Sequence, residues 1–251
     1  MAFDGTLVLV AATIFFAGFV KGATGMGFPL IATPMLTLLL DIRMAIVVLL
    51  IPSVVMDLSQ IFRRGIPTEM FRRFSSMFLF ALAGVFLGTW ELTQLPLWTL
   101  NLILGSVVVV FAVSGLFAFT LTTPPRAERV MSPVMGFVGG LCLGLTNTMG
   151  PVMALYLHGL RLEKAEFVKA ISTAFIMAKF WQVVAISTWG LFTVEALKLS
   201  LFVTGFILVS FYVGLRVQDR VPQKMFNRAI LALLIGAGIM LVYRALTEAW
   251  V

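Results

Sequence analysis

The chain has 251 residues, 61% of them hydrophobic and only 12% charged, with a formal net charge of +7. A soluble domain is about 45–50% apolar and about 25% charged, so an ordinary soluble fold is excluded. The basic balance is no nucleic-acid footprint, because the charges fall in a few short loops.

Ten apolar segments are expected, near 6–22, 28–40, 44–62, 72–91, 97–119, 131–146, 151–160, 167–188, 194–216 and 226–247. Residues 97–121 carry no charge and 44–62 only Asp57, which suits helices crossing a hydrocarbon core about 30 Å thick. A helix also satisfies its own backbone groups there, which lipid cannot do. The first segment is not read as a cleaved signal peptide, since it has no basic region before it and no A-x-A site. The second and seventh segments span only about 10–13 residues, a length for half-helices or re-entrant segments rather than full crossings. The polar stretches between segments are too short to fold as separate domains, and the lone Cys142 lies in an apolar run, so no internal disulfide forms.

The loops order the segments across the membrane. Arg63, Arg64, Arg72 and Arg73 flank one loop, Arg126 and Arg129 another, Arg161, Lys164 and Lys169 a third, and Arg216, Arg220, Lys224 and Arg228 the last. The intervening loops at 91–96 and 188–193 have no Lys or Arg. Alternation puts the basic loops on the cytoplasmic side of the inner (plasma) membrane and both chain ends outside.

Slid against itself by 122 residues, the chain aligns Phe15, Gly18, Gly22, Thr24, Pro29 and Gln60 with Phe137, Gly140, Gly144, Thr146, Pro151 and Gln182. At an offset of 126, Gly88, Pro96 and Asn101 meet Gly214, Pro222 and Asn227. These ordered matches read as an internal duplication with a first repeat over 1–122 and a second over 123–251. Five segments per repeat make the halves inverted, a recurring plan of secondary transporters. The expected fold is therefore an all-α integral membrane protein of two inverted repeats, roughly eight full spans and two short interrupted helices.

Each repeat carries a segment that no regular helix accommodates. The first holds Gly22, Gly25, Gly27 and Pro29; the second holds Gly144, Thr146, Asn147, Thr148, Gly150 and Pro151. Unwound backbone at membrane depth lines a cavity or is buried in protein, and a proline suits the first turn of the short helix that follows. Two helix N-termini, with open N–H groups and positive dipole ends, favour an anion. Tight small-residue packing accounts for the glycines but not for a polar Thr-Asn-Thr run in hydrocarbon. Lys21, Asp57, Lys179 and, nearer an end, His158 are ionisable side chains within expected spans, where a charge needs a partner or an aqueous face. Asp57 and Lys179 are equivalent at the repeat offset and could pair; one aspartate against two lysines then leaves positive charge for an anionic solute. The candidate substrate-binding set is Lys21, Gly22, Thr24, Gly25, Gly27, Gln60, Thr146, Asn147, Thr148, Gly150, Lys179 and Gln182, with Asp57 and His158 as candidates for coupling or ion pairing. A histidine titrates near physiological pH, which leaves a coupling proton open.

The duplicated segments, with Gly18, Gly22, Gly25, Gly27 and Pro29 echoed by Gly140, Gly144 and Pro151, resemble the TauE/SafE (TSUP) family of sulfite and organosulfonate exporters. The second copy departs from the pattern at Asn147, where a further glycine would be typical. The resemblance implies a secondary transporter for a small sulfur-containing anion such as sulfite, thiosulfate, sulfoacetate or sulfolactate, embedded in lipid, with no cofactor or metal and with a homodimer left open. A passive anion channel or a non-transporting accessory subunit are the alternatives. An intramembrane enzyme is disfavoured, since one His and one Cys offer no H-E-x-x-H, aspartate pair or Ser/His arrangement.

Overall fold

Long apolar runs punctuated by glycine, proline and charge fold as helices in the computed structural model, which describes residues 5–25, 27–64, 68–116, 124–217 and 223–249. Eleven helices are present among them: α1 (Gly5–Thr24), α2 (Phe28–Thr37), α3 (Ile42–Arg64), α4 (Thr68–Arg73), α5 (Ser75–Gln94), α6 (Leu97–Leu116), α7 (Pro125–Thr146), α8 (Gly150–Gly159), α9 (Lys164–Thr188), α10 (Val194–Val217) and α11 (Gln223–Ala249). Six of them contain stretches long and apolar enough to cross a membrane: Ile42–Phe62, Ser75–Gln94, Leu97–Gly115, Ala127–Thr146, Glu166–Thr188 and Val194–Val217. Each of the ten expected segments coincides with a helix over most of its length, though α2 stops at Thr37 rather than 40, residues 117–119 of the fifth lie outside the described residues, and α4 is an addition at the first basic loop. Arg220 of the last basic loop lies outside the described residues.

The bounds of α1 to α3 recur in α7 to α9. α1 ends at Thr24 and α7 at Thr146, α2 begins at Phe28 and α8 at Gly150, and α3 begins at Ile42 and α9 at Lys164, all at an offset of 122. Even the side-chain bonds repeat: Thr24 Oγ1 donates to the Val20 carbonyl at 2.9 Å and Thr146 Oγ1 to the Cys142 carbonyl at 2.8 Å.

Two compact units result, one of Met1–Pro52, Leu95–Ala118 and Thr193–Val251, the other of Ser53–Gln94 and Phe119–Phe192. In the first, α1 packs on α10 and α6 on α11, and α2 touches α1, α6 and α11. The α1–α10 seam closes where a Cβ on Gly22 would stand 2.8 Å from the Leu215 nitrogen and 2.9 Å from the Gly214 Cα. Such backbone approach is the usual device of helix pairs in membranes, where lipid supplies no hydrophobic drive. Arg244 on α11 donates to the Thr37 and Leu38 carbonyls at 3.4 and 3.3 Å and so covers the C-terminal end of α2. Pro52 lacks the N–H that would reach the Val48 carbonyl within α3. The Ser200 hydroxyl on α10 takes its place and donates to that carbonyl at 2.7 Å.

In the second unit α5 packs on α7 along an equivalent glycine seam, and α9 lies against α5, α7 and α8. A Cβ on Gly144 would sit 2.5 Å from the Val85 carbonyl oxygen and 2.6 Å from the Thr89 nitrogen. Gly22 and Gly144 are equivalent at 122 residues and Gly214 and Gly88 at 126, so the same closeness is built twice from matching positions. At one end of this unit Arg73 binds Glu128 in bidentate fashion, Nε to Oε1 at 2.8 Å and Nη2 to Oε2 at 3.0 Å. The neighbouring carboxylate holds the guanidinium above its ordinary range.

Candidate functional site

The glycines and prolines of the two irregular segments set the geometry at the start of each short helix. In the first unit Gly25 takes φ 86° and its N–H reaches the Lys21 carbonyl at 2.8 Å, ending α1. Gly27, at φ 97°, then caps α2 and Pro29 enters its first turn. The first bond of α2 runs from the Ile31 N–H to the Gly27 carbonyl at 3.1 Å, which leaves the N–H groups of Phe28 and Leu30 without an acceptor in the helix. Lys21 is 2% exposed, one residue before the Gly22 contact.

In the second unit Asn147 occupies the place of Gly25 and takes the same left-handed backbone, at φ 62°. Asparagine tolerates that region because its short side chain hydrogen-bonds locally. Its N–H donates to the Leu143 carbonyl at 2.9 Å, ending α7. Pro151 enters the first turn of α8, whose first bond is Met153 N–H to the Met149 carbonyl at 3.2 Å. The N–H groups of Gly150 and Val152 accordingly have no intrahelical acceptor.

Around this turn the sequence-predicted residues come together. Thr146, Asn147, Lys179 and Gln182 are all 0% exposed and Thr148 is 1% exposed. Lys179 Nζ donates to Asn147 Oδ1 and, at 2.7 Å, to Gln182 Oε1. Gln182 Nε2 in turn donates to the Leu143 carbonyl at 2.9 Å. Because an ammonium can only donate, both amides must turn their oxygens toward it. Thr146 Oγ1 gives its proton to the Cys142 carbonyl, so in the 2.5 Å contact between the two hydroxyls Thr148 is the donor. The threonine protons, expected to face a solute, are thus directed at protein acceptors.

Asp57 and Gln60, on α3, belong to the same unit as Lys179 and are 2% and 3% exposed. Gln60 Oε1 faces the Ser172 hydroxyl on α9 at 3.5 Å. His158 is placed elsewhere: it sits exposed in the last turn of α8 with its ring stacked on Phe167, centroids 4.4 Å apart. Sequence reasoning missed the Ser200 bridge and the Arg244 cap. Pro52 signals the first, since a proline inside a helix always frees the carbonyl four residues earlier.

Among the described residues the Lys, Arg, Asp and Glu side chains that are buried are Lys21, Asp57 and Lys179, two formally basic groups and one acidic. They also contain no group of three or more His, Cys, Asp or Glu that could hold a metal ion. Against this geometry a comparison with protein families is specific: the model of the sulfite exporter TauE/SafE family matches residues 10–241. The chain belongs to that family. Searches of curated proteins and of solved structures give no significant match. Membership in this transporter family, with its run of apolar helices, makes the chain a multi-pass membrane protein. The match takes in both glycine-proline turns and both buried lysines.

Proposed function

We propose that this TauE/SafE protein carries a small sulfur oxyanion or organosulfonate, of the size of sulfite or sulfoacetate, across the cell membrane by alternating access. Family membership over residues 10–241 is the observation that carries the reading. Three further features support it. Lys21 and Lys179 exceed the buried Asp57 in charge, and an anion offsets an excess that lipid would penalise. The starts of α2 and α8 carry N–H groups without intrahelical acceptors and the positive ends of their dipoles. The matching bounds of α1–α3 and α7–α9 support a duplication, which we read as inverted repeats over 1–122 and 123–251 with both termini outside.

In this reading the buried lysine of each unit, Lys21 or Lys179, supplies charge, and the first turn of that unit's short helix, α2 or α8, supplies directional hydrogen bonds. The oxygen atoms of a sulfite or sulfonate group accept several such bonds at once. Flux of sulfite and sulfoacetate into proteoliposomes tests the proposal. Saturable uptake that falls with Lys21→Ala or Lys179→Ala is expected. Unchanged affinity and flux in both variants would overturn it, and flux that never saturates would favour a passive channel. Imposing a proton gradient on the same vesicles reveals whether transport is proton-coupled.

A further inference from the structure

Four hydrogen bonds at the end of α7 form a closed circuit. The Leu143 carbonyl accepts from the Asn147 N–H at 2.9 Å and from Gln182 Nε2 at 2.9 Å; Gln182 Oε1 and Asn147 Oδ1 both accept from Lys179 Nζ. Every member is buried, with Asn147, Lys179 and Gln182 at 0% exposure. The circuit ties the last turn of α7 to α9 through one ammonium.

The two repeats differ here in a correlated way. Where position 179 is lysine, position 147 is asparagine; at the equivalent positions the first repeat has Asp57 and Gly25. Glycine adopts the left-handed backbone without strain, so the turn itself does not call for a side chain at 147. What asparagine adds is a carbonyl oxygen, and the structure directs that oxygen to Lys179. Both Asn147 and Gln182 present neutral acceptors, which fix an ammonium in place without cancelling its charge. An aspartate at 147 would hold the lysine as well and neutralise it.

We infer that Asn147 and Gln182 are positioning residues rather than direct ligands of the solute. Their amide oxygens aim and retain the Lys179 ammonium at the turn that ends α7, and they act on anion affinity through that lysine. The inference rests on the proposed anion carriage and gives Asn147, the departure from the glycine pattern, a chemical task.

A double-mutant cycle separates this role from direct contact and from simple packing. The dissociation constants of sulfite, thiosulfate and sulfoacetate are measured by calorimetry on the purified full-length chain and on N147G, N147D, Q182A, K179Q and N147G/K179Q, with a thermal melt of each. N147G keeps a backbone conformation that glycine readily adopts, so it removes the acceptor with little disturbance of the turn. Since hydrogen bonds to charged groups are among the stronger ones, N147G and Q182A are expected to weaken binding by about tenfold each and K179Q by at least as much. N147G/K179Q is expected to bind no more weakly than K179Q alone. N147D is expected to bind more weakly than N147G while melting no lower, a pattern that a packing role would not give. Wild-type affinity in N147G, or independent losses that add in the double variant, overturns the positioning role while leaving anion carriage standing. Failure of the wild-type chain to bind any of the three anions overturns both.

Discussion

Gly144→Ala is the sharpest test of how the α5–α7 pair is held. The added methyl would stand 2.5 Å from the Val85 carbonyl oxygen, against 3.4 Å or more for ordinary contact, a shortfall of about 0.9 Å. It would also meet the Thr89 nitrogen at 2.6 Å. Both obstructing atoms are backbone, so no side-chain rotation relieves the clash and the helices must separate. Overpacking of this kind costs about 1–3 kcal/mol, and a backbone obstacle places it near the top of that range. Alanine's better helix propensity returns at most about 1 kcal/mol, for a net loss of about 2 kcal/mol. Gly205 and Gly236 are the controls, since a Cβ at either meets nothing within 4 Å. Gly205→Ala and Gly236→Ala should be neutral or slightly stabilising. Titration of the purified proteins with SDS in mixed micelles, followed by far-UV circular dichroism, ranks the variants. If Gly144→Ala unfolds at the same SDS fraction as Gly205→Ala, the two backbones do not govern that seam.

Three other outcomes follow from the same geometry. Ser200→Ala should lower stability by about 1–3 kcal/mol in that titration, because the Val48 carbonyl loses its donor; the loss should shrink in a Pro52→Ala background, where α3 can supply its own N–H. Asn147→Ala should melt below Asn147→Gly, reversing the usual order of these residues in helices, because a left-handed conformation costs a side-chain-bearing residue about 1–2 kcal/mol. Glu128→Gln should shift the melting point little, since the Arg73–Glu128 pair has side chains 39% and 21% exposed and such pairs contribute at most about 1 kcal/mol; a large loss would mean that this end of the unit depends on the pair.

The helices were largely legible in the sequence because their signals are local. Length and apolarity give α3, α5, α6, α9 and α10, and a proline two residues after a left-handed or capping position gives the start of α2 and of α8. Pro125 opens α7 about two turns before the expected 131, since Glu128 and Arg129 mask a helical turn that begins before the apolar run. At the candidate site, sequence singled out Asn147, Lys179 and Gln182 as polar groups in an apolar setting and offered Lys179 either the solute or Asp57 as a partner. Which of them bond to one another depends on how α7 and α9 pack, and residues 32 apart in the chain carry no local trace of that. The threonines show the same limit: their side-chain bonds to carbonyls one turn earlier were open to them from helical geometry alone, yet the sequence offers them equally as polar groups for a solute.

The bridge from Ser200 to the Val48 carbonyl also bears on how the chain is made. The two residues are 152 positions apart. A carbonyl without a donor in hydrocarbon costs several kcal/mol, and α3 is synthesised long before α10. Until α10 arrives, the turn of α3 before Pro52 therefore has a weak point that water, a chaperone or the insertion machinery must cover. α3 becomes a stable membrane element late, when a segment from the far end of the chain docks against it, so a chain truncated before Val194 should be retained by quality control or degraded rather than accumulate as a folded half.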